Sequence, residues 1–338
     1  MTSAQRKRLS FSIGLIISII LLWVLFRDVH FEELWTALRG ANYFWLLPNM
    51  ALVILAMYQR AHRWSHMIRP VKAVSLNKLV AATFIGFMAN NVLPLRLGEF
   101  VRAYSLAYQD KEVSKSASLA TIFVERMVFD LVALLVIFCA VVSVAAVEIP
   151  DEMRTGIYLA IGIALTGIIF VLVLALKPDR TSDLLTKYLV FLPERLRETI
   201  GSIVTRFSWG LIFIKKPKTV GWVSLHTLLI WLVMGISNYS VFLAFGFDLP
   251  LDASFFLLVV VSISILVPSS PGFVGVYHAG TVFSLMQYGI GRADALSFAL
   301  VLHAAQYIPI TLLGFYFLRK EHLSLKQLED EAVENIQN

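Results

Sequence analysis

The 338-residue sequence is 58% hydrophobic and 15% charged, with a formal charge of +6. That balance excludes an ordinary water-soluble domain, and several apolar runs approach the ~20 residues that cross a bilayer, so the chain reads as an integral membrane protein. The basic residues lie between apolar runs rather than in one patch, as the positive-inside rule produces, so nucleic acid is not an expected partner. One cysteine, Cys139, falls in an apolar run, which excludes a disulfide framework or a thiolate metal cluster.

In chain order, the first apolar run at 11–27 lacks a small-residue cleavage pattern and is expected to stay as a span. Further spans are predicted at 43–61, 117–147, 155–176, 220–245 and 294–318. Two other apolar stretches, 76–110 and 252–289, are interrupted by proline and glycine, at Pro94-Leu-Arg-Leu-Gly98 and Pro268-Ser-Ser-Pro-Gly272, with the same spacing. Such breaks suit re-entrant hairpins, whose non-helical backbone survives at membrane depth only when buried in protein or lining a wet cavity. Between the fourth and fifth spans, 179–216 sets Leu185, Tyr188, Leu189 and Leu192 among Arg195, Arg197 and Arg206, reading as interfacial helices on the cytoplasmic face. The expected fold is an all-α polytopic membrane protein of about six transmembrane helices plus two re-entrant helical hairpins. It forms a single integral membrane domain, 1–320, with 321–338 as a short, acidic, frayed cytoplasmic tail.

Charge bias orients this layout. Segments 1–10, 60–78, 109–116, 177–219 and 319–338 hold 3, 5, 2, 9 and 3 basic residues, 22 in all, whereas the opposite side holds only Arg39, Arg154 and Arg292. Both termini are therefore expected in the cytoplasm of a cell with this chain in its plasma or inner membrane. Repeat one, 43–147, reads span, hairpin, span, and so does repeat two, 220–318. The hairpins then enter from opposite faces, which is an inverted-topology repeat of the kind that places one site near the midplane.

Charges inside apolar surroundings mark where such a site would be. Arg96, Glu99, Arg102, Glu125, Arg126 and Asp130 each cost at least ~2.5 kcal/mol if left unpaired at the bilayer centre. On a helix starting near Arg96, Arg96 and Arg102 flank Glu99 at i,i+3 spacing, and Arg126 with Asp130 forms an i,i+4 pair. Two readings stand: internal ion pairs that hold the first hairpin to the next span, or an anion site in which guanidinium forks meet a phosphate while Glu99 or Glu125 exchanges a proton. The second repeat offers Ser269, Ser270, Tyr277, His278, His303, Gln306 and Tyr307. His303 and Tyr307 share one helical face; His303 reads as a packed hydrogen-bonding residue, and His278 as a packed residue or a proton carrier. The residues assigned to substrate binding are thus Arg96, Glu99, Arg102, Arg126, Ser269, Ser270 and His278. Structural or coupling roles fall to Asn91, Pro94, Gly98, Glu125, Asp130, Pro268, Pro271, Gly272, His303 and Tyr307. No P-loop, His-Glu-x-x-His or Gly-x-Ser-x-Gly motif occurs, so neither ATP-driven transport nor a cofactor or resident metal is expected.

Asn90 to Tyr104, NNVLPLRLGEFVRAY, followed by SASLATIFVERMVFDLVALL, resembles the signature of the transmembrane region of lysylphosphatidylglycerol synthases and their stand-alone flippase-like relatives. RAHRWSHMI, SWGLIFIKKP and PSSPGFVG are also similar to the family's pattern, so the resemblance covers about 10–320. It implies a lipid flippase or transporter acting on a phospholipid, an aminoacyl-lipid or a polyprenyl-phosphate glycan, with a membrane glycosyltransferase or lipid synthase as a neighbour. The synthases' soluble aminoacyl-transfer domain would follow residue 320, so aminoacyl transfer by this polypeptide is not expected. Tyr277 and His278 stand where many members carry an acidic residue. The alternatives are a membrane-embedded transferase using Glu99 and His278 on a lipid acceptor, or a scaffold for a glycosyltransferase.

Overall fold

The structure, a computed structural model, describes residues 3–27, 29–144, 162, 165–169, 173, 208 and 210–337. The predicted span 155–176 and the interfacial segment 179–216 fall largely outside them. All regular structure among the described residues is helical: α1 (Ser3–Phe26), α2 (Phe31–Gly40), α3 (Leu46–Ile68), α4 (Leu76–Val92), α5 (Gly98–Gln109), α6 (Lys115–Val124), α7 (Leu131–Val144), α8 (Pro217–Phe245), α9 (Leu251–Ser264), α10 (Val276–Met286), α11 (Arg292–Lys320) and α12 (Leu325–Gln337). A π-turn, Glu125–Asp130, joins α6 to α7 without ending the helix. Among the described residues, three continuous helices are long and apolar enough to cross a membrane: Lys115–Ser143, Pro217–Phe245 and Arg292–Lys320. The pair Ser12–Phe26 and Phe31–Gly40, bent by 88°, makes a fourth if it counts as one span.

Two differences from expectation have a clear physical cause. The predicted span 43–61 and the loop from residue 60 are one helix, because Trp64, Met67 and Ile68 continue the apolar face of α3 and are buried. Arg60 and Arg63 therefore lie inside the protein and leave the basic count of the segments expected in the cytoplasm, which falls from 22 to 20 and keeps its excess. The segment 28–42, expected as a plain connection, contains α2, whose Phe31, Leu34, Trp35 and Leu38 follow the i, i+3, i+4, i+7 rule and which packs on α11. Ten residues are too few for a span, which is why apolar run length alone passes over it.

The helices pair in a pattern that repeats. α3 packs on α8; α3 on α4 is matched by α8 on α9; the α4–α5 hairpin by the α9–α10 hairpin; α5 on α6 by α10 on α11; and α4 on α11 by α9 on α7. Such an exchange is what an internal twofold would give. One apolar core, including Trp64, Met88, Tyr104 and Phe213, lies around the first hairpin, and another, including Phe242, Leu257, Leu285 and Phe298, around the second. Large apolar side chains such as Ile16, Ile20, Trp23, Leu232, Ile236, Leu312 and Tyr316 face outward, a surface suited to lipid rather than water.

In the first hairpin α4 and α5 approach so closely that a Cβ on Gly98 would collide with the Gly86 carbonyl and the Asn90 side chain. Gly98→Ala is therefore expected to lower thermal stability in detergent, by about 1–3 kcal/mol. Gly40, around which a Cβ meets nothing within 4 Å, supplies the neutral control as Gly40→Ala.

The tail is a docked helix and not a frayed one, because Leu328 and Ala332 of α12 enter the first core. Tyr108 hydrogen-bonds Glu331, and Lys115 pairs with the same carboxylate at 2.6 Å. Partial burial raises the Glu331 pKa, but the bonds from Lys115 and Tyr108 outweigh it and leave the carboxyl below its ordinary 4.5. A lowered carboxylate pKa means stability that is present above the unfolded value and lost as pH falls through the folded one. A spin label at Lys326→Cys, in a Cys139→Ser background, is expected to gain mobility as pH drops below about 4.5 while remaining immobile at pH 7.

Candidate anion site where two helix breaks meet

Sequence chemistry shapes both breaks alike. Pro94 opens the turn Pro94–Arg96 and Pro271 opens the turn Pro271–Phe273, each at a position where a missing N–H costs nothing. Both turns hold a non-glycine residue in the left-handed region, Arg96 at φ 54° and Phe273 at φ 59°, next to Gly272 at φ 73°. For Arg96 and Phe273 this conformation costs of order 1–3 kcal/mol each and persists only where surroundings enforce it. The two strained residues touch: the Arg96 guanidinium lies 5.0 Å from the Phe273 ring centre. The Tyr307 hydroxyl donates to the Asn91 carbonyl at 3.2 Å, and Asn91 donates to Thr311 Oγ1 at 2.9 Å, fixing the end of α4 on α11. The chain's two Pro-Gly interruptions are thus in direct contact.

Next to this junction lies a buried charge network. Glu125 and Asp130, five residues apart, would sit roughly 140° apart around an ordinary α-helix. The π-turn between them, closing i to i+5, returns both to one face, where arginines from α3 and α5 meet them. Arg63 donates to Asp130 at 2.6 Å and to Thr227 at 2.8 Å, and pairs with Glu125 at 3.0 Å. Arg102 donates both terminal nitrogens to Glu125, at 2.8 and 3.2 Å, and stacks 4.2 Å from the Trp64 ring centre. Arg60 lies 3.6 Å from Asp130, and Arg126 3.3 Å from Asp130 and 3.6 Å from Glu99. Asn90 donates to Glu99 at 3.3 Å and accepts from the Gly98 N–H at 2.8 Å, which sets the hairpin tip.

Arg63 and Glu125 are fully buried, whereas the Arg126 and Glu99 side chains, at 25% and 33% exposure, form a rim. The network therefore has a sealed floor and an accessible edge. The i,i+3 arrangement expected around Glu99 does not form, because α5 starts only at Gly98 and Arg96 precedes it in the turn. Arg102 turns to Glu125, and Glu99 takes Arg126 instead.

Arg60 and Arg63 were missed as members of the site, although the spacing of Trp64, Met67 and Ile68 behind them was the available signal. Their inclusion alters the charge. Arg60, Arg63, Arg102 and Arg126 pair with Glu99, Glu125 and Asp130, and Arg96 stands at the adjoining turn against Phe273, so five cations lie at or beside three anions. Buried donors remain unused: Arg96 Nη2 and the Nε atoms of Arg60, Arg102 and Arg126 have no hydrogen-bond partner among the described residues. Positive excess with unspent N–H groups is what an incoming anion would meet.

The second repeat contributes polar groups behind the junction. Tyr277 stacks on His303 at 4.6 Å, and its hydroxyl donates to Gln306, which donates on to Asn238. His278 is buried, accepts from the Gly275 N–H at 3.4 Å, and meets His303 edge-on at 4.9 Å; His303 in turn meets Tyr307 at 5.5 Å. Ser270 is engaged by α1, bonding Ser18 Oγ at 2.9 Å, and the Ser269 backbone abuts Gly14. Pro268 is exposed at the start of the break. Among the described residues His278 and Ser270 have hydrogen-bond partners but no ion-pair partner.

The class is now defined: an all-helical integral membrane fold that crosses the bilayer more than once and encloses an arginine-rich ion-pair network beside two apposed helix breaks. The chain belongs to the family of the lysylphosphatidylglycerol synthase TM region, whose pattern it matches over residues 11–314. It is 24% identical to the protein named glycosyltransferase AglD of Haloferax volcanii, over 97% of this chain and 57% of that protein. The chain thus spans little more than half the length of that relative. UPF0104 membrane proteins of Methanocaldococcus jannaschii (25% identical, 69% of this chain, 95% of that one) and Methanothermobacter thermautotrophicus (24%, 83% and 87%) are also similar. No solved structure is significantly similar.

Removing one acid from the sealed floor strands a buried guanidinium. Glu125→Gln and Asp130→Asn are each expected to cost about 3–5 kcal/mol, read as a large fall in thermal unfolding temperature in detergent. Arg126→Gln at the half-open rim is expected to cost about 1 kcal/mol or less. Equal losses at floor and rim would contradict the assignment of depth.

Proposed function

We propose that this chain is a lipid flippase or transporter that carries a phosphate-bearing headgroup between leaflets while its acyl or prenyl tails stay in the bilayer. The observation that carries the reading is the five-to-three excess of guanidinium over carboxylate, with unused buried donors, where the two helix breaks touch. Arginine's planar fork pairs two N–H groups with phosphate oxygens, which suits this chemistry better than a point charge would. Arg96 and Arg126 at the rim meet the phosphate first. Arg60 and Arg102 are held by Asp130 and Glu125 until those pairs loosen, and Glu99 is placed to return a proton or to hold Arg126 while the site is empty.

The matched pairing of helices and the paired Pro-Gly breaks support an inverted-topology repeat with two re-entrant hairpins among about six spans. The surviving basic excess supports both termini lying in the cytoplasm of a cell whose plasma or inner membrane holds the protein. Neither ATP nor a cofactor enters this reading, and the chain's partners are membrane lipids or lipid-linked glycans.

A second reading is a partner of a membrane glycosyltransferase or a lipid transferase in its own right, favoured by the name of the Haloferax volcanii relative. Because the match covers 57% of that protein, its name does not place transferase chemistry in the shared part. The transferase version would use Glu99 as base together with His278, which is buried in the second repeat.

Reconstituted liposomes carrying fluorescent or aminoacylated phospholipids, or polyprenyl-phosphate glycans, test the transport reading. The parent is expected to move at least one of these, and Arg96→Ala to slow it by about tenfold or more, the cost of one charge-assisted pair. Arg96 is the informative position because its loss strands no buried acid. Movement of every substrate by Arg96→Ala at the parent rate contradicts the phosphate site, and covalently altered lipid that disappears with His278→Ala would favour the transferase.

A further inference from the structure

A second cluster of chemistry lies where α3 meets α8, among side chains that the ion-pair network does not use. His62 and His66 stand four residues apart on α3, and His226 reaches them from α8. One ring nitrogen from each can be chosen so that all three lie within 4.8 Å of one another. His62 Nδ1 and His226 Nε2 are already 3.2 Å apart. Two ligands on one tetrahedral zinc with Zn–N bonds of ~2.0–2.1 Å stand about 3.4 Å apart, so small rotations of half-buried rings complete the triangle. His66 is stacked on Trp222 at 6.3 Å and on His226 at 5.7 Å, which presets its plane. The remaining ring nitrogen of His226, Nδ1, is buried without a hydrogen-bond partner among the described residues.

Two histidines at i,i+4 on one helix face, joined by a third from a neighbouring helix, supply three neutral nitrogens and leave one position open, the donor set that zinc prefers when it keeps a site for an external ligand. His66 also lines an open cleft of about 720 Å³ with Arg69, Lys216, Lys218, Thr219 and Trp222. Three basic residues beside a dication would repel it unless an anion joined them. We propose that His62, His66 and His226 form a zinc site that ties α3 to α8, its open position completed by a phosphate oxygen drawn into the basic cleft.

The test uses the full chain on an affinity tag without histidines, stripped with chelator in detergent and titrated with zinc alone. Expected are about one tightly held zinc per chain, a higher unfolding temperature with metal, and loss of most of the retained zinc in His62→Gln and His66→Gln, each still monodisperse when metal-free. Zinc retained equally by parent and by the triple His62→Gln, His66→Gln, His226→Gln variant, or by neither, overturns the site. Repeating the titration with inorganic phosphate and with phosphatidate in mixed micelles tests the fourth ligand. A several-fold tightening by phosphate marks a soluble anion, a tightening by phosphatidate alone marks a lipid headgroup, and tightening by neither overturns the anionic ligand.

Discussion

Buried charge must be compensated, and in this protein the compensation of Arg63 by Glu125 and Asp130 fixes the relation of most other parts. Both carboxylates come from the π-turn between α6 and α7, and their partners come from α3 and α5. Four helical segments of the first repeat are thereby held to one point. Thr227 of α8 joins through Arg63, so the second repeat is tied in as well. An apolar replacement of the same volume could be as stable, since desolvation cancels much of what a buried ion pair gains. Retaining the charges makes sense if the site must exchange partners, with an anionic ligand taking over guanidinium groups that the acids release.

The breaks place that site. Each begins with proline, each holds a left-handed residue, and the two meet through Arg96 and Phe273. Unwound backbone at a helix interruption needs polar company, and here it finds Asn90, Asn91, Tyr307 and Thr311. The His278, His303 and Tyr277 group adds a second polar layer from the other repeat, without a charge of its own among its hydrogen bonds. One repeat therefore supplies the ion pairs and the other a wall of hydrogen-bonding and aromatic groups.

Much of this was legible in the residues. Equal Pro-to-Gly spacing marks both breaks, and charges stranded in apolar runs mark Arg96, Glu99, Arg102, Glu125, Arg126 and Asp130. The partners of those charges were not legible, because local spacing proposes neighbours on one helix whereas Arg102 reaches across to another helix for Glu125. The π-turn was invisible for the same reason, being enforced by tertiary ion pairs and not by a residue pattern. Arg60 and Arg63 were assigned to a loop because charge count outweighed the apolar face that continues behind them. α2 escaped for its shortness, and α12 because its acidic composition hid the two small apolar contacts that dock it.

In the proposed transport reading a lipid phosphate occupies the junction of the two breaks. Photo-crosslinking from a phosphatidyl lipid with the reactive group beside its phosphate, followed by peptide mapping, reads this directly. Labelling expected from the account falls at 91–102 and 271–278 and is competed by unlabelled anionic lipid. Labels confined to outward apolar faces such as those of Ile16, Leu232 and Leu312 would contradict it.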